Sequence, residues 1–175
     1  MFDLDQLWRK SYAEIPFANG YTDDERVFFQ KKVGSISAAL DLSQTEDLKR
    51  LLTVHEWFDI SVFGAIADNN AWLLVQHADQ DRAFQVRVLP ILEARWPLGE
   101  TKPANYALLF DRVATSWSDP SLRQLQRYGT QGACSGPGAW APLPSEDPAH
   151  LDERRASVGL EPEAEYIKRF ITICH

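Results

Sequence analysis

Apolar residues recur every three to four positions along most of this chain, and this helical period restricts the fold more than any other feature of the sequence. Thr22-Asp23-Asp24-Glu25 and Ser43-Gln44-Thr45-Glu46 have the form of capping boxes, so each is predicted to open a helix. Asp147-Pro148 combines a favoured N-cap with proline at the first helical position. The predicted helices are a short first helix through Leu4, Leu7, Trp8 and Tyr12, then 22–40, one from 43, 65–78, 82–96, 103–117, 148–159 and 162–170.

One segment departs from the helical period. Residues 124–131 alternate in the period of a strand, Ser135-Gly136-Pro137-Gly138 is typical of a turn, and residues 139–141 are consistent with a returning strand. The chain has no internal repeat and no linker rich in glycine, proline or serine. The sequence therefore predicts a mainly α fold, a single-domain helical bundle with one small β-hairpin.

Charge and composition exclude several classes of partner. The formal net charge of −7 and the pI near 5.1 argue against nucleic acid and against an anionic membrane surface. No apolar run approaches the ~18–20 residues of a membrane span, and the N-terminus lacks the pattern of a signal peptide, so a cytoplasmic protein is expected. Cys134 and Cys174 are too few and too far apart for a disulfide framework or a zinc cage, and we expect free thiols.

Several polar side chains fall on or beside helix faces that should be apolar. On helix 65–78, Asp68, Asn69, Trp72 and Gln76 share one side, which is either a ligand-lining surface or a solvent face with a partly exposed tryptophan. His77 ends this helix and is either a general acid or base or a histidine satisfied at the helix C-terminus. A metal site made of His77, Asp79 and Asp81 is a weaker alternative, because Asp79 is expected to cap the next helix.

The later helices carry charges on faces that are predicted to be buried. Asp111 and Arg112 interrupt a helix that is apolar nearly all round. Asn105, Arg112 and Ser116 form one polar stripe on it, which is either a structural ion network or an anion site. Arg154 and Arg155 lie close to the inward stripe of helix 148–159, so at least one of them should point inward. Tyr128-Gly129-Thr130-Gln131 adds hydroxyl and amide groups, and its glycine indicates a bulge or a close approach.

These motifs together resemble an uncharacterised bacterial family of unknown function, DUF6624. The resemblance is carried by Trp72–Asp79, Tyr106–Arg112, Gln126–Gln131, Arg154–Leu160 and Glu165-Tyr166, in that order, and covers about residues 57–166. We therefore divide the chain into N-terminal helices at 1–56, less typical of the family, and a family-like core at 57–175, within one compact domain. The resemblance supplies no established activity, but its shared positions are mostly the misplaced polar residues above.

We expect a small-molecule-binding domain, an enzyme that performs hydrolysis or group transfer on an anionic substrate without a cofactor or a bound metal. His77 would be the general acid or base, oriented by Asp79 or Asp111, and Tyr128 would help to hold the reacting group. The alternative is a non-catalytic interaction module, such as an immunity or adaptor protein, in which the polar motifs form a structural network and the partner is a protein. The substrate-binding residues would be Trp72, Gln76, Arg112, Thr130, Gln131, Arg154 and Arg155.

Overall fold

The computed structural model describes residues 3, 5–7, 22–117, 120–171 and 174. The predicted first helix rested on Leu4, Leu7, Trp8 and Tyr12, and all of these except Leu7 lie outside the described residues. Among the described residues, no helix is both long and apolar enough to cross a membrane. The prediction of a mainly α fold with one small hairpin is confirmed.

The first long helix is continuous. Helix α1 runs over Asp23–Leu51 and begins with the predicted capping box, in which the Thr22 side chain accepts from Glu25 N and the Glu25 side chain accepts from Thr22 N. The prediction of a new helix at Ser43 was wrong. The Thr45 hydroxyl bonds back to the carbonyl of Asp41 at 2.7 Å, so it serves the helix interior rather than a new N-terminus.

Three further helices build the body of the fold. Helix α2 covers Ile60–Gln76, with a kink at Gly64, whose φ of 83° is accessible to glycine but strained for other residues. Helix α3 covers Arg82–Arg95, and its N-cap is Asp81, which accepts from Phe84 N at 3.0 Å, so the prediction that Asp79 caps it was wrong. A 3₁₀ turn, Trp96–Leu98, leads to helix α4 at Pro103–Thr115.

The core lies where α2, α3 and α4 pack together, with α1 against α2. Helices α2, α3 and α4 contribute the apolar sides that their sequence period predicts, and burial of apolar area is the main favourable term in folding. The buried core side chains are Leu48, Trp57, Ala71, Leu74, Val75, Ala78, Phe84, Val88, Leu92, Tyr106, Ala107, Leu109, Tyr128 and Val158.

The hairpin begins later than predicted. Strands β1, Gly132–Gly136, and β2, Ala139–Pro142, pair antiparallel, with Cys134 opposite Trp140 and an irregularity before Gly136. Residues 124–131, predicted as a strand, form a loop with a single bridge between Gln126 and Ser145. The last elements are a 3₁₀ turn at Pro148–His150 and two short helices, α5 at Leu151–Ser157 and α6 at Glu163–Lys168.

A disulfide joins Cys134 and Cys174, so the expectation of free thiols was wrong. The chain returns to the hairpin after α6, where Gly138 N donates to Cys174 O at 2.6 Å and the two cysteine Cα atoms lie 5.4 Å apart. Trp140 and Tyr166 pack beside this bond in a small second core. The pairing depends on where residue 174 lies in space, which the count and spacing of two cysteines do not reveal.

Candidate functional site

Asp111 holds the loop before the hairpin. Its fully buried carboxylate accepts backbone N–H groups of Arg127 at 2.8 Å, Tyr128 at 3.1 Å and Thr130 at 2.9 Å, and also the Thr130 hydroxyl at 3.0 Å. Burial raises the pKa of the Asp111 carboxyl, and these donors oppose the shift. The backbone donors that a partner strand would bind are thus taken by a helix side chain, which is why residues 124–131 form no strand.

Two arginines support the same loop from its other side. Arg155 is fully buried and donates from Nη1 to Tyr128 O at 2.6 Å and from Nε to Glu161 O at 2.7 Å. Arg154 is half-buried and donates to Arg127 O at 2.9 Å and to Glu146 O. The prediction that at least one arginine points inward is confirmed, and the observed acceptors are backbone carbonyls.

Amide side chains complete the support of the loop. Gln126 is fully buried, donates to Leu143 O and accepts from Gln131 N, both at 2.6 Å. The Gln131 side chain donates to the Thr130 hydroxyl at 3.1 Å. Much of the shared motif Gln126–Gln131 is therefore engaged in bonds within the protein.

Tyr128 packs against one face of α4, and Arg112 projects from another. The Tyr128 ring packs edge-on against Tyr106 and Phe110, with centroids 6.4 and 6.1 Å away. Positions 110 and 112 are about 200° apart around a helix, so Arg112 faces away from this aromatic cluster. By helix geometry, Arg112 and the Tyr128 ring, which were expected to share one site, therefore lie on different sides of α4.

The polar side of α2 splits into two environments. Asp68 is fully buried and accepts from Trp57 Nε1 at 2.9 Å and Asn105 Nδ2 at 3.1 Å, which ties α2 to the preceding connector and to α4. Further along the helix, Trp72 Nε1 and Gln76 Oε1 are buried and have no hydrogen-bond partner among the described residues. Buried polar atoms are normally paired, so these two atoms make the C-terminal part of α2, rather than the part near Asp68, the candidate ligand-binding region.

His77, at the end of α2, pairs with a residue that the sequence analysis did not select. Its Nδ1 lies 3.2 Å from an oxygen of Asp5, which is 1 % exposed. The expectation that Asp79 or Asp111 orients His77 was wrong. Because Nδ1 faces the carboxylate, Nε2 is the nitrogen left to meet a substrate, and an Asp–His pair of this kind fixes the tautomer of the ring.

Arg82 and Arg112 meet beside Asp79. Arg112 Nη1 lies 3.5 Å from Asp79 Oδ2, and Arg82 Nη1 donates to the carbonyl of Arg112 at 3.4 Å. Gln85, fully buried, donates to Asp79 Oδ1 at 3.3 Å, and the Arg82 guanidinium stacks on Trp117 at 4.0 Å. Burial lowers the pKa of Arg82, an effect that the charge of Asp79 opposes.

The two guanidinium groups keep buried donors without acceptors. Within the described part of the chain, Arg82 Nε and Nη2 and Arg112 Nε are buried and have no hydrogen-bond partner. Nε and Nη2 form one edge of a guanidinium, the edge that binds a carboxylate or a phosphate through two parallel bonds. The side chains of Arg112 and Asp79 are 29 % and 55 % exposed, so the cluster reaches the surface.

Sequence reasoning missed Asp5 and Arg82. Asp5 precedes the resembling motifs, and no periodic signal connects it with position 77. Arg82 follows an N-cap and is indistinguishable in the sequence from an exposed first-turn residue. The one hint in the sequence was the position of Arg82 at the first residue of the helix that follows His77 and Asp79.

A separate cavity of about 440 Å³ lies between the end of α1 and α3. Its charged lining residues are largely paired: Lys49 with Glu46 and Asp81, and Glu56 with Arg95. None of the predicted site residues lines it.

The fold and the site together define a mainly α domain whose polar motifs hold a hairpin loop and which carries a second polar cluster at the end of α2. The chain belongs to the DUF6624 family, because the model of that family, described as a family of unknown function, matches residues 5–173. The match includes Asp5, which precedes the motifs that carried the resemblance. Comparisons with curated proteins and with solved structures found no match.

Proposed function

We propose that the protein is an enzyme that binds a small anionic substrate and performs hydrolysis or group transfer on it. Arg82 and Arg112 bind the anionic group, and His77, oriented by Asp5, transfers the proton. The observation that carries the proposal is the buried guanidinium edge of Arg82 that has no acceptor among the described residues.

Energetic considerations support an anion at this cluster. A buried donor without a partner costs about 1–3 kcal/mol, and more when the group is charged. Three such atoms belong to Arg82 and Arg112. An anion that accepts from them removes this cost, and Asp79 leaves the two arginines with a net charge of about +1, which suits a carboxylate or a phosphate ester.

The position of His77 supports general acid–base chemistry. It lies two residues before Asp79, and its Nδ1 faces an Asp5 oxygen, so that Nε2 is the nitrogen available to take a proton. In the proposed reaction, Nε2 takes the proton of a water or hydroxyl nucleophile as its oxygen bonds to the substrate. The bond to the leaving group then breaks, and Nε2 returns the proton to that group.

A thermal-shift screen of anionic metabolites on wild-type protein, Arg82→Ala and Arg112→Ala tests the binding step. At 100 times Kd a ligand stabilises a protein by about 2.7 kcal/mol, which at ~2–4 °C per kcal/mol for a chain of this size gives a rise in Tm of about 5–10 °C. Both variants should lose this rise. Arg50→Ala is the matched control, since Arg50 is 74 % exposed and pairs with Asp47. Equal responses in all four proteins would exclude the site.

Substitution of His77 tests the chemical step. With a substrate from the screen, His77→Ala should keep the thermal shift and lose about 10²–10⁴-fold in kcat. An unchanged kcat would remove His77 from the mechanism while leaving the anion site intact.

A second candidate is the interaction module, and the state of the shared motifs favours it. Asp111, Arg154, Arg155 and Gln126 all bond within the protein, as a structural network would. In that case the variants at Arg82 and Arg112 leave every small-molecule response unchanged, and a protein partner should be recovered by crosslinking.

A cytoplasmic location stays a prediction. The Cys134–Cys174 disulfide argues against it, because disulfides persist mainly in oxidising compartments. Alkylation of the protein in intact cells, followed by mass spectrometry, decides the matter: alkylated cysteines support the cytoplasm, and an intact disulfide excludes a reducing compartment.

A further inference from the structure

We propose that Asp5, Asp41 and His77 form a binding site for a divalent transition-metal ion. One oxygen of each carboxylate and one ring nitrogen of His77 all lie within 4.8 Å of one another. The three residues come from the N-terminal segment, from the middle of α1 and from the end of α2. Their convergence is therefore a product of the tertiary fold.

The spacing of these atoms suits coordination. Metal–ligand distances of about 2.0–2.2 Å place neighbouring ligand atoms about 3.0–3.4 Å apart and opposite ones about 4.2 Å apart. His77 Nδ1 and the Asp5 oxygen, at 3.2 Å, already have the separation of neighbouring ligands. The other two pairs, Asp5–Asp41 and Asp41–His77, lie within 4.8 Å, and a bound ion would draw them to the separation of neighbouring or opposite ligands. Three protein ligands leave positions for water.

A buried amide next to Asp41 is a second, independent indication of a ligand. Gln44 is 4 % exposed, and neither its oxygen nor its nitrogen has a hydrogen-bond partner in the part of the chain that the structure describes. It lies three residues after Asp41, so the two side chains are neighbours on one face of α1. Its amide oxygen can bind the ion or a water on it.

The chemistry of the donors selects the ion. Imidazole favours zinc and iron, whereas carboxylates and amide oxygens favour magnesium, calcium and manganese. A mixed set of one nitrogen and several oxygens therefore fits Zn²⁺, Mn²⁺ or Fe²⁺. The ligand set differs from the alternative of the sequence analysis, because Asp81 caps α3 and bonds Lys49, while Asp79 bonds Gln85.

Metal binding would change the role of His77. A bound ion lowers the pKa of a coordinated water, so that this water supplies the nucleophile and His77 acts as a ligand. This role rests on the proposed function, whereas the binding site itself does not.

Isothermal titration of the chelator-treated 175-residue chain with Zn²⁺ and with Mn²⁺ tests the site. Wild-type protein should bind about one equivalent of at least one of the two ions. Asp41→Asn and His77→Gln should each weaken binding by at least about tenfold. Asp47→Asn, the same change six residues further along α1, should bind like wild type.

The Mn²⁺ electron paramagnetic resonance spectrum supplies a second readout, since a bound ion loses the six-line signal of the free ion. Absence of binding in wild-type protein, or equal binding by Asp41→Asn and Asp47→Asn, overturns the inference. If Asp41→Asn fails to fold by circular dichroism, His77→Gln and Gln44→Ala decide. Inorganic phosphate is titrated in parallel. A phosphate response without metal binding refutes the metal site and leaves the anion site standing. Metal binding without a phosphate response refutes only the anion site.

Discussion

Substitution of Asp111 by asparagine tests whether this shared carboxylate is structural. Asparagine keeps one oxygen and replaces the other with an NH₂ group, so in either orientation one backbone donor, of Arg127 or of Thr130, meets another donor. An unpaired buried donor costs about 1–3 kcal/mol, and the remaining bonds lose the assistance of the charge, about 1 kcal/mol more. The expected loss in the free energy of unfolding is therefore about 2–4 kcal/mol.

Urea unfolding followed by tryptophan fluorescence measures this loss, with Glu153→Gln as the control because Glu153 is exposed on α5. The control should stay within about 0.5 kcal/mol of wild type. Amide hydrogen exchange at Arg127, Tyr128 and Thr130 should accelerate in Asp111→Asn alone. A variant that keeps wild-type stability and protection but loses turnover would refute the structural role and make Asp111 a catalytic residue.

Three further predictions concern the hairpin and the start of α3. Cys134→Ser should lower the free energy of unfolding by up to about 4 kcal/mol, because the disulfide closes a loop of about 40 residues; an unchanged urea midpoint would contradict this. Gly132→Ala should disrupt the hairpin, since a Cβ there would lie 2.3 Å from the Trp140 ring, and an unchanged near-ultraviolet circular dichroism spectrum would contradict that packing. The hydrogen bond from Lys49 lowers the pKa of Asp81 in the folded state, so its contribution is present above the unfolded pKa of about 3.9 and is lost as the pH falls through the lower folded value. As the pH is lowered from 7 to 2, the urea midpoint should therefore fall more steeply in wild type than in Asp81→Asn. The asparagine keeps a good N-cap, and parallel curves for the two proteins would exclude the effect.

Local signals predicted most of the helices to within a few residues, although Asp147 makes no side-chain capping bond and α5 begins only at Leu151, after a 3₁₀ turn. The Thr22 capping box fixes the start of α1 because its partners lie three residues apart, within one turn. The kink at Gly64 explains why the stripe predicted a start near residue 65, although the first turn of α2 begins at Ile60. A second capping sequence, at Ser43, had no effect because the preceding residues were already helical.

Interactions between distant positions account for the errors. The loop 124–131 alternates like a strand, but Asp111 binds its backbone donors from another element. Cys134 and Cys174 are joined only because the chain returns to the hairpin. The candidate site shows the same dependence on tertiary structure. The helix period identified His77 and Arg112, whereas Asp5 and Arg82 could be assigned to the site only from their positions in the fold.

The central claim is that the guanidinium groups of Arg82 and Arg112, whose buried Nε–H donors have no partner among the described residues, bind an anion. Nuclear magnetic resonance of the arginine Nε–H groups, during titration with inorganic phosphate, reports on the atoms concerned. Two of these signals should shift with saturation, and each should be absent from the corresponding Arg→Lys variant. Shifts of equal size at the exposed Arg50 and Arg169, or no shift at Arg82 and Arg112, would contradict it.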